Sequence, residues 1–418
     1  MAKVVVVGQG YVGLPLAMRA VAAGHDVTGY EVDSLRAKRL ADGDSYVDDI
    51  TSEDVAEALR TGRYHPTSDP SGCSGFEFAV ITVPTPLRDG APDLTYVESA
   101  GEVVGAHVTP GATVILESTT YPGTTEEVLV PILERACGLR AGTDFHVGYS
   151  PERIDPGNQV WRFDNTPKVV SGINPAALES VDGFYRSLVE TTVPVSAVAV
   201  AESAKLLENT FRHVNIALVN EFAMFARDLG IDIWEVVQAA ATKPFGYMPF
   251  HPGPGVGGHC LPIDPSYLSW RVERRLGSRF QFVGLATDIN EHMPRYVVQR
   301  VLQSLNRRGR AVNGSRVLVL GLAYKRNSGD VRESPSWDVI DHLLSMGADV
   351  QVADPYVEEV ALPEGAHWAV ASKETAGEAD IVVLLTDHDR FDLGEIQAAA
   401  PLVFDTRHKM SGPNVEYL

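Results

Sequence analysis

One short segment, Gly255–Asp264, carries the residues best suited to covalent chemistry. It places Cys260 after a glycine-rich run, separated from Gly258 by His259, and Asp264 four residues later. Glycine lets a backbone approach a ligand closely and adopt a positive φ. A thiolate is a strong nucleophile, and covalent catalysis divides one difficult step into two easier ones. The segment therefore predicts an enzyme whose cysteine attacks a substrate carbon.

The remaining cysteines and nearby histidines do not suggest another chemistry. The chain has three cysteines, an odd number without a spacing pattern, so we expect a reducing cytoplasm and no disulfide framework. We interpret Cys73 and Cys137 as small packed thiols. His251 and His259 are near Cys260 in the sequence, but their spacing fits no zinc site, and we predict no bound metal.

A second polar group lies in an otherwise apolar helical stretch. Lys205, Asn209 and Arg212 are spaced by four and three residues, which places them on one helical face, and His213 follows. A solvated stripe or inter-helix hydrogen bonding would be the default explanation for this pattern alone. Together with the cysteine segment, the pattern favours a site in which an amine stabilises an oxyanion or moves a proton.

A third motif follows the first predicted strand and reads Gly8-Gln9-Gly10-Tyr11-Val12-Gly13. Its three glycines suit a tight turn, the close approach of a pyrophosphate and helix–strand packing, with the diphosphate at the helix N-terminus. Glu31 ends the next predicted strand, where a carboxylate would accept hydrogen bonds from ribose hydroxyls and repel a 2′-phosphate. Asp33 is a nearby alternative for this role. The motif predicts NAD rather than NADP.

The elements that position these motifs form two α/β patterns around a helical middle. The first has strands at Val4–Val7, His25–Tyr30, Phe78–Val83 and Thr113–Leu116, with a helix at Leu14–Ala23. A long helix is predicted from Ala201 to Leu229, closed by Gly230. The second pattern has strands at Arg316–Leu320, Asp349–Val352, Asp380–Leu385 and Leu402–Phe404. The stretch Pro244–Pro265 is predicted to be a structured site loop.

We therefore expect an α/β chain with two Rossmann-like doubly wound domains joined by a central helical domain that contains one long helix. The predicted boundaries are residues 1–198 for the NAD-binding domain, 199–300 for the helical domain and 301–418 for a second Rossmann-like domain. A chain of 418 residues is long enough for several cores.

The composition limits the partners. The net charge of −20 argues against a nucleic acid or an anionic membrane held by a general basic field. The N-terminus enters a strand without the pattern of a secretory signal. No apolar run approaches the ~20 residues of a membrane span. We expect a cytoplasmic protein that binds anions only through local basic groups and helix N-termini.

Taken in order, the motifs resemble those of the nucleotide-sugar 6-dehydrogenases, the UDP-glucose/UDP-mannuronate dehydrogenase family. The resemblance covers essentially the whole chain. It rests on GQGYVGLP at Gly8–Pro15, VPTP at Val83–Pro86, ESTTYPGTT at Glu117–Thr125, SPERIDPGN at Ser150–Asn158, KLLENTFRHVNIALVNE at Lys205–Glu221, PGVGGHCLPIDP at Pro254–Pro265 and GLAYKRNSGDVRESP at Gly321–Pro335.

The resemblance implies a four-electron oxidation of C6 of a UDP-hexose by two NAD molecules, without release of the aldehyde. Cys260 would form a thiohemiacetal and then a thioester. Lys205 and Asn209 would stabilise the alkoxide and oxyanion. Asp264 and Thr119 would position water or assist proton transfer, and Glu152 would act in hydrolysis.

The resemblance also assigns binding residues. Those toward NAD are Gly8, Gly10, Tyr11, Val12, Gly13, Glu31, Arg36, Pro84, Thr85, Thr119 and Arg332. Those toward the UDP-sugar are Glu152, Arg153, Ile154, Lys205, Asn209, Arg212, Phe250, Pro252, Gly253, Gly257, Lys325 and Arg407. The C-terminal domain would hold UDP, with the active site between domains. The central helix would form the interface of a homodimer or a higher homo-oligomer.

The sugar is predicted from two segments, Pro151–Asn158 and Pro249–Gly255. They resemble the branch that oxidises UDP-N-acetylglucosamine or UDP-N-acetylmannosamine rather than the UDP-glucose branch. An acetamido group needs room and a donor, which Arg153 or Arg212 could supply. UDP-glucose 6-dehydrogenation, giving UDP-glucuronate, is the alternative.

Two further alternatives belong to other classes. A β-hydroxyacid dehydrogenase shares a Rossmann domain and a helical lysine but makes one hydride transfer and needs no cysteine. A non-enzymatic NAD-binding regulator would give no reason for Lys205, Asn209, Cys260 and Asp264 to occur together.

Overall fold

The computed structural model describes residues 1–47, 49–88, 90–154, 158, 160–258, 260–357 and 360–418, without the side chain of Cys260. The chain forms two compact units. The first comprises Met1–Glu208 and Ser266–Gly277, and the second Asn209–Pro265 and Ser278–Leu418. The three-domain boundaries given above stay a prediction.

The first unit is built on a parallel sheet with helices on both faces. Its strands are β1 (Lys3–Val7), β2 (Asp26–Tyr30), β3 (Tyr64–Thr67), β4 (Phe78–Ile81), β5 (Leu87–Arg88), β6 (Ala91–Pro92), β7 (Thr113–Leu116), β8 (His146–Tyr149), β9 (Lys168–Gly172) and β10 (Thr192–Pro194). Its helices are α1 (Gly13–Ala22), α2 (Ser34–Ala41), α3 (Ser52–Arg60), α4 (Thr95–Gly105), α5 (Val130–Cys137) and α6 (Pro175–Arg186), with a 3₁₀ turn at Pro70–Cys73 and a π-helical turn at Thr125–Leu129.

The strand order of this sheet is β10-β9-β8-β7-β4-β1-β2-β3, and β5 and β6 form a separate hairpin. Neighbouring strands run parallel except β8 and β9, where Gly148 faces Gly172 and Tyr149 faces Ser171. Apolar clusters cover both faces of the sheet, which explains why strands such as β1 are apolar throughout. The order reverses between β1 and β4, and the carboxyl ends of the strands at such a point form a ligand crevice.

The second unit contains a sheet of the same kind. Its strands are β11 (Arg316–Leu320), β12 (Asp349–Ala353), β13 (Ala366–Trp368), β14 (Ile381–Leu384), β15 (Val403–Asp405) and β16 (Val415–Tyr417), in the order β13-β12-β11-β14-β15-β16 and all parallel. Helices α8 (Ile233–Ala241), α10 (Gln281–Arg307), α11 (Pro335–Ser345), α12 (Lys373–Glu378) and α13 (Leu393–Ala399) belong to this unit.

The two remaining helices, α7 (Val198–Asp228) and α9 (Cys260–Leu276), each contribute residues to both units. The sequence predicted α7 and its stop, and Gly230 indeed has φ 70°. The amide of Ile231 donates to the carbonyl of Ala226 at 2.8 Å, so the helix ends in the expected glycine motif. The fold-class prediction is confirmed.

The sequence did not predict that α9 begins at Cys260, because Pro262 and Pro265 suggested a loop as far as Pro265. A proline in the first turn of a helix costs little, because the amides of that turn have no intrahelical partner, and this accounts for Pro262. Pro265 lies inside the helix, where proline removes one intrahelical hydrogen bond. The predicted site loop is therefore shorter, and Asp264 lies on a helix.

Candidate active site

The glycine turn after β1 has the geometry that a dinucleotide requires. Gly8 has φ 88°, and its amide donates to the carbonyl of Tyr30 at 2.8 Å. A Cβ on Gly13 would lie 1.9 Å from the carbonyl oxygen of Gly8 and 2.4 Å from Thr82 Oγ1, so only glycine allows this packing. A Cβ on Gly10 would meet no atom of the described residues within 4 Å. The turn is thus tight where it packs and open at its middle glycine, where a pyrophosphate would approach.

Glu31 lies buried directly after β2. Its Oε2 accepts from the amide of Gln9 at 3.0 Å, and its Oε1 accepts from the amide of Asp33 at 3.1 Å. Asp33 is occupied differently, because its carboxylate caps α2 by accepting from the amides of Leu35 and Arg36. A carboxylate has about four acceptor positions, so Glu31 retains capacity for ribose hydroxyls and fits the ribose role better than Asp33.

The other residues predicted to contact NAD are more dispersed. Thr85 is buried and its carbonyl accepts from the Tyr267 hydroxyl, whereas Pro84 and Arg36 are exposed. Thr119, Tyr11 and Val12 are half-buried in the same unit. Arg332 belongs to the second unit, where its guanidinium pairs with Asp330 at 2.6 Å.

Lys205 and Glu152 form the central contact of the first unit's polar site. The Lys205 ammonium donates to the carbonyl oxygen of Glu152 at 2.6 Å and lies 3.4 Å from its Oε2. Both side chains are buried, and Glu152 Oε1 accepts from the amide of Ile154. Burial raises the pKa of the Glu152 carboxyl, while the positive charges of Lys205 and Lys168 oppose that rise. A buried carboxyl beside an amine can exchange protons with a bound substrate.

Arg153 is held by contacts within the first unit. Its Nη2 donates to Glu208 Oε1 at 2.7 Å, its Nε donates to Glu208 Oε2 at 3.4 Å, and its Nη1 donates to the carbonyl of Pro167 at 2.6 Å. This fork ties the loop after β8 to α7. The contacts give Arg153 a positioning role, and its predicted contact with a substrate acetamido group stays a prediction.

Asn209 and Asp264 form the matching contact of the second unit. Asn209 Nδ2 donates to Asp264 Oδ2 at 2.5 Å, and both side chains are buried. Asp264 lies four residues after Cys260, which is the first residue of α9. The Cys260 side chain and all of His259 lie outside the described residues. The structure therefore gives the backbone position of the predicted nucleophile and the environment of its predicted partner.

The polar stripe predicted on α7 is buried only in part. Lys205 and Asn209 are buried, as is His213, whereas Arg212 is exposed. The role predicted for Arg212 toward the UDP-sugar stays a prediction. Burial lowers the pKa of His213 to about 4, so this imidazole is neutral near pH 7, and its Nε2 lies 3.2 Å from Thr287 Oγ1.

The loop before α9 is fixed by amide side chains. The amide of Gly253 donates to Asn220 Oδ1 at 2.9 Å, and Asn220 Nδ2 donates to Asn290 Oδ1 at 3.0 Å. Gly257 packs so closely that a Cβ would lie 2.6 Å from Tyr324 Cβ and 2.7 Å from the carbonyl of Glu333. The glycines of this segment therefore serve close packing within the unit.

Several of the residues predicted to hold the UDP-sugar also belong to the second unit. Arg407 Nε donates to the carbonyl of Leu385 at 2.6 Å, and a Cβ on Gly253 would lie 3.0 Å from Arg407 Nη1. Phe250 packs edge-on against Phe211, with ring centroids 5.8 Å apart, and Pro252 is buried. Lys325 is half-buried in the turn after β11. A guanidinium beside a glycine-lined loop suits a phosphate or a hexose oxygen.

Sequence reasoning missed Glu202, a buried carboxylate on α7. It accepts from the amide of Gly123 at 2.6 Å, and from the amide and hydroxyl of Thr125 at 3.0 and 2.8 Å. Glu202 thereby fixes the hydroxyl-rich segment after β7, which includes Thr119. Its spacing of three residues before Lys205 is the signal that could have found it.

Two features typical of other classes of protein are missing from the residues that the structure describes. Among those residues, no three His, Cys, Asp or Glu side chains lie where they could share a metal ion. In the same part of the chain, no helix combines the length and apolar character needed to cross a membrane.

A Rossmann-type glycine turn, a second sheet whose strand order also reverses beside its first strand, and two buried polar contacts together indicate a nucleotide-dependent oxidoreductase. Comparison with known proteins agrees. The chain belongs to the UDP-glucose/GDP-mannose dehydrogenase family, whose NAD binding domain matches residues 2–189, central domain residues 199–292 and UDP binding domain residues 318–411. The chain is therefore an NAD-dependent dehydrogenase of UDP-sugars.

Individual relatives span most of the chain. The UDP-N-acetyl-D-glucosamine 6-dehydrogenase of Pseudomonas aeruginosa is 38% identical over 392 residues, 93% of this chain and 91% of that protein. A UDP-N-acetyl-D-mannosamine dehydrogenase of Pyrococcus horikoshii is 35% identical over 391 residues, 93% of this chain and 90% of that protein.

Solved structures extend the likeness to the fold. The structure of UDP-D-ManNAc dehydrogenase from Pyrococcus horikoshii superposes with a TM-score of 0.90 and 33% identity, over 100% of this chain and 98% of that one. A UDP-glucose dehydrogenase from Pyrobaculum islandicum gives a TM-score of 0.89 and 28% identity, over 100% of this chain and 97% of that one.

Proposed function

We propose that this protein oxidises the C6 alcohol of a UDP-N-acetylhexosamine, UDP-GlcNAc or UDP-ManNAc, to the uronic acid. The buried Lys205–Glu152 contact carries the proposal, because it provides an amine and a protonatable carboxyl in the unit that holds the NAD turn. The names of the Pseudomonas and Pyrococcus relatives support the acetamido sugar.

The proposed chemistry has two oxidations and two covalent intermediates on Cys260, and the first oxidation converts the C6 alcohol to the aldehyde. NAD, when bound, accepts the hydride in each oxidation. The Cys260 sulfur adds to C6 of the aldehyde to give a thiohemiacetal, whose oxidation leaves a thioester. Water then attacks C6, the C–S bond breaks, and the carboxylate and the thiol are formed. The balance is one alcohol, two NAD⁺ and one water giving one carboxylate, two NADH and three protons.

The side chains of the site have separate roles in this proposal. The Lys205 ammonium stabilises negative charge that develops on the C6 oxygen, and the Asn209 amide does the same. The carboxyl of Glu152 and that of Asp264 move protons or orient water during hydrolysis of the thioester, and Thr119 assists them. Arg407 and Lys325 hold the diphosphate.

UDP-glucose is the second candidate substrate. The observation that favours it is the superposition with the Pyrobaculum UDP-glucose dehydrogenase, at a TM-score of 0.89. A fold shared by both sugar classes does not discriminate between them, and the sugar is therefore a question for kinetics.

The test compares kcat/KM for UDP-GlcNAc, UDP-ManNAc and UDP-glucose, and counts NADH formed per sugar consumed. We expect an acetamido sugar to be preferred and two NADH per sugar. A preference for UDP-glucose would contradict the substrate, and one NADH per sugar would contradict the covalent route.

Cys260→Ala tests the nucleophile, with Cys137→Ala as the matched control because Cys137 ends α5, far from Cys260 in the sequence. We expect Cys260→Ala to abolish formation of the acid and Cys137→Ala to retain it. Full turnover in Cys260→Ala would favour the single-hydride β-hydroxyacid class. Absence of NADH formation with every UDP-sugar in the parent protein would favour a non-enzymatic regulator.

Two finer statements complete the proposal. We infer a cytoplasmic location, in keeping with an odd number of unpatterned cysteines. We also infer a division into an NAD-binding domain at 1–198, a helical domain at 199–300 and a UDP-binding domain at 301–418, which the family matches at 2–189, 199–292 and 318–411 support.

A further inference from the structure

A buried ion pair lies in the first unit beside the Lys205–Glu152 contact. Glu117 follows β7 with 0% of its side chain exposed, and Lys168 begins β9 with 5% exposed. Their ammonium and carboxylate groups are in direct contact. The hydroxyl of Tyr185, on α6, donates to the second oxygen of Glu117 at 2.8 Å.

The aromatic surroundings remove this pair from water. The Lys168 ammonium lies 5.4 Å from the ring centroid of Phe163 and 5.1 Å from that of Tyr185. Desolvating two charges costs several kcal/mol per ion, and well-packed apolar residues in such a place are often as stable. A need for stability alone therefore does not explain why the chain keeps two charges here.

The neighbouring carboxyl of Glu152 gives a reason for the chain to keep these two buried charges. Strand β9 runs antiparallel to β8, and Ser150 Oγ donates to the carbonyl of Val169 at 2.7 Å, so the start of β9, with Lys168, lies beside the segment after β8 that contains Glu152. The amide of Ser150 donates to the carbonyl of Leu116 at 3.1 Å, which places Glu117 beside the same segment. The positive charge of Lys168 and the negative charge of Glu117 therefore act on Glu152, in addition to its contact with Lys205.

Glu152 therefore has three charged neighbours among the described residues: Lys205 on α7, Lys168 on β9 and Glu117 after β7. Arg153, the next residue along the chain, is paired with Glu208. We propose that Glu117, Lys168 and Tyr185 are positioning residues that set the protonation state of Glu152 and thereby control its proton exchange with Lys205. This inference rests on the proposed function, in which Glu152 and Lys205 act on the substrate.

The proposal predicts changes of opposite sign for the two charges. Lys168 stabilises ionised Glu152, and Glu117 neutralises much of that influence by pairing with Lys168. Glu117→Gln removes a negative charge and leaves the ammonium of Lys168 acting on Glu152, so ionisation of Glu152 becomes easier. Glu117→Gln/Lys168→Met removes both charges, so ionisation of Glu152 returns toward that of the parent protein.

The first measurement does not depend on activity. Glutamate labelled with ¹³C at the carboxyl carbon is incorporated, and the Glu152 resonance is identified by its loss in Glu152→Gln. We expect its titration midpoint to fall by about one pH unit in Glu117→Gln and to return by more than half of that change in the double variant. An unchanged or raised midpoint in Glu117→Gln would overturn the proposal, as would a double variant that keeps the lowered midpoint.

The second measurement is the pH dependence of kcat with the UDP-sugar. We expect the limb that reports Glu152 to move to lower pH in Glu117→Gln and to return in the double variant, with KM for NAD unchanged. Tyr185→Phe, which keeps both charges, should move the limb less than Glu117→Gln. Equal loss of kcat at every pH in all three variants would indicate a merely structural role and contradict the proposal.

Glu53→Gln is the matched control, because Glu53 makes an exposed ion pair with Arg60 in the same unit. It should leave both the Glu152 midpoint and the pH profile unchanged. The double variant guards against misfolding, since it leaves no unpaired charge of this pair in the core. If no UDP-sugar is oxidised by the parent protein while the Glu152 midpoint moves as expected, the proposed function fails and the electrostatic control of Glu152 stands.

Discussion

Asn209→Ala is the substitution that most directly tests the role proposed for the buried polar contact of the second unit. The Asn209 amide donates to the carboxylate of Asp264 at 2.5 Å in a buried setting. Asn209→Ala removes a donor from the proposed oxyanion and from Asp264. Because removal of one such donor costs 10²–10³ in kcat in other enzymes, we expect a loss of roughly 10²-fold. Steady-state kinetics with the preferred UDP-sugar measures it.

Asn215→Ala is the matched control for Asn209→Ala. Asn215 lies on the same helix, and its side chain donates to the carbonyl of Phe211 at 2.7 Å rather than to a carboxylate. We expect its kcat to stay within a factor of about two of the parent protein, because surface substitutions rarely change stability or geometry much. Equal losses of kcat in both variants would indicate that the loss comes from a disturbance of helix α7 and not from removal of the Asn209 amide.

The turn that precedes α9 controls the site through packing. Gly257→Ala would place a Cβ 2.7 Å from the carbonyl of Glu333 and 2.6 Å from Tyr324 Cβ, so backbone must move. A displacement of about 1 Å can cost 10²-fold in rate. We expect a loss of kcat/KM of that order for the UDP-sugar, measured by steady-state kinetics.

Gly284→Ala serves as the control for the glycine substitution. Gly284 lies in α10. Among the described residues, a Cβ there would meet no atom within 4 Å other than those of its chain neighbours and of the backbone of its own helix. Alanine in a helix interior is favoured over glycine by roughly 0.5–1 kcal/mol, so this variant should unfold at slightly higher temperature and keep its activity. Full activity in Gly257→Ala would contradict the close-packing argument.

Elements with a local signal were predictable from the sequence. The strands Thr113–Leu116 and Arg316–Leu320 have the predicted bounds, and the glycine turn and α7 lie where their motifs indicated. In each case the pattern is complete within a few residues: an apolar run, a glycine spacing or a helical period closed by glycine.

Contacts between distant segments were not predictable. Arg153 and Glu208 are 55 residues apart, and Lys168 and Glu117 are 51 residues apart, so no local pattern reports either pair. The antiparallel pairing of β8 with β9 also depends on which strands meet in the folded sheet. The sequence therefore predicted which residue types the candidate site contains. The buried charges of Lys168 and Glu117, which we propose act on Glu152, could be identified only from the structure.

At the scale of the whole molecule, α7 carries an exposed apolar stripe. Leu207 and Leu218 are 67% and 60% exposed, and Phe211 and Phe225 are also exposed on this helix. Their spacings of four, seven and seven residues place them along one face. Apolar residues aligned in this way mark an interaction surface, and they fit the predicted homodimer through the central helix.

Leu218→Glu tests this surface, because a buried charge without a partner at a symmetric interface occurs twice and opposes association. We expect the parent protein to have a mass of about 90 kDa, twice the 45.2 kDa of one chain, and the variant to be monomeric at micromolar concentration. Size-exclusion chromatography with light scattering measures both. Leu35→Glu, at an exposed leucine of α2, should leave the dimer intact. A dimer that survives Leu218→Glu would place the dimer interface elsewhere than on the α7 stripe, and a monomeric parent protein would contradict the predicted dimer.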